Sequence, residues 1–474
     1  MMFETMVVYG SSGGLSNDPI QWLAARDGLK TSGEDCTRLV HMLDTLYTKQ
    51  LPIASRRARH LNIFVSDLFR LHNSTVQSTG QELARRDLQD AVQRLLLTLP
   101  SIIRNLGNLG ETTLYISSYE PEDFIQNISK ALLALPQLET VNVNILDQKA
   151  VRILQIAESQ RLKSMKISWP MGEPYPMSPP RTAQPSIYTE LPGIGIRATN
   201  LKRLEICAKH RLSIGSGLHR FNPLPQLEEL VLENVPVSLD GEAVKAMTQL
   251  QSLRLGGFDC LNCDPHAAVW ASLKLAGRKL RVVGVDVVGQ ALVDYLDSYE
   301  GLETLVLKLR TNANDYCVND FCARGLRHHK KSLKFLHIDL DPHSDFRITW
   351  FFEYWSKWIP TFSNLSVLKA TTSMNLHSEF DSRLFIDEMA EIVTRMPTLS
   401  KITIRHIHEG DSKITETVLT PLLTEGGSST VPSRPLAVAP SCLLVMQDFE
   451  SLFRITLDRG QGLYGTLKFV SCGK

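Results

Sequence analysis

"LKFLHIDL", residues 333–340, places apolar side chains at Leu333, Leu336 and Ile338, with Phe335, His337 and Asp339 between and beyond them. Successive side chains of an extended strand point to opposite faces. The spacing therefore predicts a short strand that buries Leu336 and Ile338 and turns Phe335, His337 and Asp339 outward. Read on to residue 345, the stretch becomes HIDLDPHSD, with His337, Asp339, Asp341, His343 and Asp345 at every second position. Those are metal-ligand residue types. Any half-buried strand produces the same alternation, however, and Asp341-Pro342 ends the strand before the last ligands align. The reading is a solvated face, with no metal.

The same L-x-x-L-x-L shape recurs along the chain. It starts at Leu138 (LETVNV), Leu162 (LKSMKI), Leu201 (LKRLEI), Leu227 (LEELVL) and Leu250 (LQSLRL). It continues from Leu280 (LRVVGV), Leu302 (LETLVL), Leu365 (LSVLKA) and Leu399 (LSKITI). With the copy at Leu333 these ten segments supply 30 core positions, and all 30 are apolar, where a 43% apolar composition would give about thirteen. Successive starts lie 24, 39, 26, 23, 30, 22, 31, 32 and 34 residues apart. Between them the period turns helical, as in QKAVRILQIAES, GQALVDYLDSYEG and RLFIDEMAEIVTRMP, with Gly301 a C-cap candidate for the second. One strand-helix unit cannot bury its own leucine face, whereas stacked units bury it against each other. Weaker copies at Ala58-Leu61-Ile63, Glu111-Leu114-Ile116 and Leu452-Ile455-Leu457 are expected to extend the array at both ends.

The expected fold class is therefore α/β, a leucine-rich repeat solenoid (horseshoe) with a parallel concave sheet and convex helices. Its expected domains are residues 1–55, a poorly defined segment with one or two helices and a frayed beginning, and 56–407, the repeat array. Seven prolines mark an insertion at 170–192. Residues 408–440 read as a flexible linker and 441–474 as a C-terminal strand and cap.

Composition narrows the function. Net charge is +1, from 51 basic and 50 acidic residues, which gives no bulk attraction to nucleic acid or an anionic membrane. Eight irregularly spaced cysteines read as reduced thiols of a cytoplasmic or nuclear protein. Neither a signal peptide nor a membrane span is read.

Four motifs carry chemistry in principle. Cys260, Cys263 and His266 make C-x-x-C-x-x-H, and Cys207 with His210 offers half of a second knuckle. A structural zinc needs four closed ligands, so these read as free loop thiols. Gly10-Ser11-Ser12-Gly13-Gly14 matches G-x-S-x-G, but no helix follows directly, as a nucleophile elbow requires. Pro176 to Arg181 has a polyproline-ligand shape, and Trp350, Tyr354 and Trp358 form an aromatic stripe that reads as core. No catalytic, cofactor-binding or metal residue is assigned, and no enzyme is expected.

The repeat units resemble the leucine-rich repeat superfamily, in its ribonuclease-inhibitor-like branch. ALLALPQLETVNV and GLRHHKKSLKFLHI are similar to the repeat regions of fungal F-box/leucine-rich repeat proteins. The resemblance spans roughly residues 56–407. It implies a protein-binding array, and a substrate receptor of an SCF-type ubiquitin ligase that meets a Skp-type adaptor. Residues 1–55 lack the opening Leu-Pro and the helices of an F-box, so an interaction or regulatory repeat protein with no ligase link stands as the alternative. On either reading a protein partner meets the concave face, through Arg203, Glu229, Glu233, Arg254, Lys308, Phe335, His337, Asp339, Lys369, Lys401 and Arg405. Lys166, Glu205 and Asp286 share that face in the repeat frame.

The frame has a direct test. Leu336→Asp places a charge in the shared leucine layer and should cost several kcal/mol, about enough to prevent stable folding. His337→Ala, one residue on, should leave the melting temperature nearly unchanged. Equal losses in thermal denaturation would mean the strand faces the other way.

Overall fold

The computed structural model describes residues 5–9, 58–65, 69, 72–73, 82–117, 119–146, 161–169, 200–208, 224–234, 241–256, 266–309, 320–340, 356–372, 392, 395–396, 398–406, 430–432, 441–446, 451–458 and 464–471. The chain divides into two units, Met1–Leu250 and Gln251–Lys474. Each is an α/β repeat solenoid in which neighbouring repeats pair their strands in parallel.

The first unit contains β1 (Thr5–Tyr9), β2 (His60–Phe64), α1 (Glu82–Arg104), β3 (Glu111–Ile116), α2 (Glu122–Leu133), β4 (Thr140–Ile145), β5 (Ser164–Trp169), β6 (Arg203–Ala208), β7 (Glu229–Glu233) and α3 (Gly241–Ala246). Strands β1 to β7 pair in parallel, each with the next. Strand β1 occupies a stretch expected to be frayed. Its Val7 and Val8 stand beside Asn62 and Ile63 of β2, so it adds a further strand to the stack.

The second unit holds β8 (Ser252–Gly256), α4 (Ala267–Leu275), β9 (Val282–Val285), α5 (Gln290–Leu296), β10 (Thr304–Leu309), β11 (Phe335–Leu340), β12 (Val367–Thr372) and β13 (Lys401–His406). All six strands pair in parallel, in order. Strands β14 (Thr430–Pro432), β15 (Ser441–Met446), β16 (Ser451–Asp458) and β17 (Tyr464–Ser471) follow. Here the expectation fails. β15 joins β13 in parallel, but β16 runs antiparallel to both β15 and β17. The Leu452-Ile455-Leu457 copy is thus part of a meander and not a further repeat. A parallel return needs a crossover of a dozen or more residues, and far fewer separate β15 from β16.

The leucine frame holds throughout the ten segments. Every one of their core positions whose side chain is described, all but Ile404, is at most 5% exposed. Two frame details differ from expectation. In β3 the core positions are Leu109, Thr112 and Leu114, because Thr112 stands beside Leu61 and Val141 in register. Thr112 takes a leucine position fully buried, and its hydroxyl donates to the Leu61 carbonyl at 3.0 Å. Glu111 faces outward instead. Gly301 does not cap α5, whose C-cap is Asp297; with φ +109° it lies in the turn before β10. The glycine that does cap a helix is Gly277 (φ +62°), after α4. There Arg278 N–H donates to Leu273 C=O and Gly277 N–H to Lys274 C=O, both at 3.0 Å, a Schellman closure. Of the other two helical stretches, residues 147–160 lie outside the described residues; Ile392 and Met396 of the last are buried.

One backbone contact repeats from junction to junction within each unit. The carbonyl just after the first leucine accepts two amides from the next repeat. Glu139 C=O receives Lys163 and Ser164 N–H at 2.9 and 3.0 Å; Glu303 C=O receives Lys334 and Phe335 N–H at 2.8 and 3.1 Å. Lys163, Lys202, Gln251, Arg281, Lys334 and Ser366 do the same. Side chains at this position pair along the edge, as in Lys163–Glu139 (2.6 Å), Lys202–Glu228 (2.7 Å) and Arg281–Glu303 (2.6 Å).

On the helical side of the second unit, aromatic rings form a continuous run. Trp270 stacks on Tyr295 at 5.5 Å, Tyr295 meets Tyr299 at 5.0 Å, and Tyr299 meets His329 at 4.9 Å. Polar tips satisfy backbone groups beneath them. Tyr295 hydroxyl donates to Arg278 C=O and accepts from Leu280 N–H; Tyr299 hydroxyl donates to Leu280 C=O. His329 Nδ1 accepts from Leu302 N–H and Nε2 donates to Leu296 C=O, which requires the neutral ring.

That ring should make stability fall with acid. Burial pushes the pKa of His329 down to about 4, and burial does the same to His266. Unfolded, each binds a proton near 6.5, so protons favour the unfolded chain. Stability is complete above about pH 6.5 and is lost towards pH 4, by roughly 3 kcal/mol for each ring at the limit. Urea unfolding at pH 7 and pH 5 measures the loss. His329→Gln should be weaker at pH 7 yet show a shallower slope.

Candidate functional site

The outward positions of the strands fall into two sets, one on each unit. The first unit carries Lys166, Arg203, Glu205, Glu229 and Glu233. The second carries Arg254, Lys308, Phe335, His337, Asp339, Lys369, Lys401 and Arg405. The sequence reading places all of these on the concave face, and each unit's set is described by itself.

On the first unit the charges satisfy one another. Lys166 stands beside Glu205 in register and Arg203 beside Glu229. Glu205 pairs with Lys166 and, at 3.1 Å, with Arg203; Arg203 also reaches Glu229 at 3.5 Å. Burial alone pushes Glu205 upward, but hydrogen bonds from Lys166 and Arg203 hold it net below the usual carboxylate range. Cys207 Sγ donates to Glu205 at 3.5 Å. Its pKa is pushed up to about 12, first by burial and then by Glu233 and Glu205, so it is a protonated, inert thiol. Farther along the sheet His60 Nδ1 lies 3.0 Å from Glu111, whose other oxygen accepts from Asn142 at 3.0 Å.

The second face differs. Parallel register sets two rows across its strands. One runs Ser252, Val282, Thr304, Phe335, Val367 and Lys401. Beside it run Arg254, Gly284, Val306, His337, Lys369 and Thr403. Lys308 stands beside Asp339, and Arg405 beside Thr371. Gly284 is required by its neighbour: a Cβ there would sit 2.9 Å from Arg254 Cγ, so the arginine stem lies across the glycine. Phe335 and His337 meet edge-on at 6.4 Å between centroids. Asp286, expected on the same face, is buried. It follows the last residue of β9, is 2% exposed, and its carboxyl lies 3.9 Å from where a Cβ on Gly256 would stand.

The remaining motifs are only partly visible. Cys260, Cys263, His210 and residues 10–14 and 341–345 lie outside the described residues. His266 is buried at the start of α4. Among the described residues no three His, Cys, Asp or Glu side chains gather closely enough to hold a metal ion. None of their helices is long and apolar enough to cross a membrane. Of the aromatic stripe Trp358 is described: it is half-buried, with Lys330 Nζ 5.5 Å and Lys357 Nζ 5.6 Å from the centre of its ring. Sequence reasoning missed the paired edge at Glu139, Lys163, Lys202, Glu228, Arg281, Glu303 and Lys334. Aligning the repeats and reading down the position after the first leucine exposes it.

No protein family model matches the chain, and no curated protein matches it. Among solved structures it is similar to a chain of the yeast Rad7–Elc1 complex, at 12% identity and TM-score 0.33, covering 80% of this chain and 94% of that one. It is also similar to a chain of the Drosophila Toll–Spatzle complex, at 11% identity and TM-score 0.25, covering 80% and 60%. Superpositions this loose bear on neither fold nor function.

The second face predicts a measurable titration. Burial is the largest influence on His337 and pushes its pKa down; Lys369 and Lys308 push the same way, and Asp339 opposes them. In NMR titration of the imidazole Cε1–H, Lys369→Ala should raise the pKa of His337 and Asp339→Asn should lower it further. A value indifferent to both would mean that these side chains do not share a face.

Proposed function

We propose that this chain is a non-enzymatic scaffold, acting inside the cell in the cytoplasm or nucleus, that binds a protein partner on the sheet face of its second unit. The observation that carries the reading is the pair of outward rows across β8 to β13. An aromatic ring, an imidazole and several cations stand there on strands whose register is fixed by main-chain hydrogen bonds and a buried leucine layer. A surface already ordered loses little entropy on binding. The non-enzymatic part of the reading comes from the sequence, where no constellation of nucleophile, base and oxyanion donors is assigned.

The finer reading is a substrate receptor of an SCF-type ubiquitin ligase, and its support is the likeness of ALLALPQLETVNV and GLRHHKKSLKFLHI to F-box/leucine-rich repeat proteins. The alternative, an interaction or regulatory protein without ligase linkage, is supported by the missing F-box pattern in residues 1–55.

Affinity purification from cell extract separates them. Recovery of a Skp-type adaptor with a cullin selects the receptor, and a stoichiometric different partner selects the scaffold. Replacing Lys308, His337, Asp339 and Lys369 together by Ala should abolish capture with little change in melting temperature, since outward substitutions usually cost within about 0.5 kcal/mol each. Deleting residues 172–190 should weaken capture far less. The opposite pattern would make the proline-rich insertion the recognition element.

A further inference from the structure

The two outward faces differ in how their cations are neutralised, and that difference specifies a ligand. On the first unit Lys166 and Arg203 both end on carboxylates of the same face. On the second, among the described residues, Arg254, Lys369 and Lys401 make no ion pair. They stand at or next to the ends of the two rows: Arg254 opens the row that continues through Lys369 to Thr403, and Lys401 closes the row that holds Phe335. Between these ends the surface is low and uncharged. Gly284 has no side chain, Val306 is only 8% exposed, and Val282, Thr304, Phe335 and Val367 line the neighbouring row.

We propose that the sheet face of the second unit binds an acidic segment of another protein, laid across β8 to β13 with carboxylates at Arg254, Lys369 and Lys401 and an apolar side chain against Phe335. The inference rests on the scaffold reading above and adds the chemistry of the partner.

Three features favour a peptide over a nucleic acid. Val282, Phe335 and Val367 give the row through Phe335 apolar side chains, which suit an aliphatic or aromatic anchor. Asp339 stands among the cations, one residue from Ile338 and beside Lys308, and would repel a continuous phosphate backbone. The cations are also separated by apolar surface, where a polyanion groove is a continuous basic track. The dimensions agree. Five strand-to-strand steps of about 4.8 Å span roughly 24 Å, the reach of about seven extended residues.

The experiment uses the full chain and three labelled probes in fluorescence anisotropy: a twelve-residue peptide of repeating Glu-Glu-Leu, its Gln-Gln-Leu counterpart, and a twelve-nucleotide oligouridine. The Glu peptide should bind at least about tenfold more tightly than either other probe, and its affinity should fall with added salt. Replacing Arg254, Lys369 and Lys401 together by Ala should weaken it about tenfold. Lys369→Glu, a single outward change checked by thermal melting, should weaken it severalfold and serves if the triple variant is unstable. Replacing Lys166 and Arg203 by Ala on the first unit should leave it unchanged. Equal binding of the Gln peptide, tighter binding of the oligouridine, indifference to Lys369→Glu, or no binding of the Glu peptide would each overturn the proposal. The scaffold reading fails separately. A captured partner that the Glu peptide does not displace sinks the acidic-segment inference alone, whereas capture insensitive to the Lys308, His337, Asp339 and Lys369 substitutions sinks the reading beneath it.

Discussion

Within each unit a single carbonyl, the one after the first leucine, holds two amides of the next repeat at junction after junction. This contact fixes where the next strand begins. Because strand side chains alternate with period two, a slip of one residue would turn every leucine outward and every polar residue inward. The buried layer at Leu336, Leu368 and Ile402 adds the penalty for a slip, about 1.5–3 kcal/mol for each large apolar side chain exposed. Carbonyl and leucine therefore enforce one register from opposite sides of the strand. The paired side chains at Glu139, Lys163, Arg281 and Glu303 lie at the same position and are exposed or, at Glu303, half-buried, so they add little beyond solubility and a further bias against slippage.

The frame was legible because burial repeats. Thirty apolar positions in ten segments identify it without any single residue being decisive. Errors appeared where one position departed from type. Thr112 is isosteric enough with valine to occupy a leucine site, and its hydroxyl is satisfied by Leu61, so a search for apolar letters slid the frame by two residues onto Glu111. The copy at Leu452 has the right letters with too short a connection, and letters alone do not report strand direction. Gly301 was misread as a cap for a related reason: it and Gly277 both have φ above zero, but only Gly277 follows a helix end closely enough to close it.

The candidate site was less legible. Alternation correctly turned Phe335, His337 and Lys369 outward, since that follows from the frame. It could not tell a satisfied charge from an open one. Lys166 and Lys369 look alike in the repeat pattern. Their difference comes from the adjacent strand: Glu205 stands beside Lys166, whereas His337 and Thr403 flank Lys369. The burial of Asp286, one residue after β9 ends at Val285, was not legible either, because alternation reports a face and not how deeply a side chain on it is covered.

These two kinds of legibility have one cause. Register is enforced by main-chain carbonyls and by buried leucines, neither of which involves the outward side chains. The fold therefore places almost no demand on what stands at positions 337, 339 or 369. A protein with this architecture can exchange a self-neutralised face for an open one by changing a single neighbour, as Glu205 beside Lys166 and His337 beside Lys369 illustrate. Gly284 is the exception on the open face, because the stem of Arg254 lies where its Cβ would be. That position couples the backbone to an outward cation, and it holds the guanidinium stem flat against the sheet, within the row that leads to His337 and Lys369.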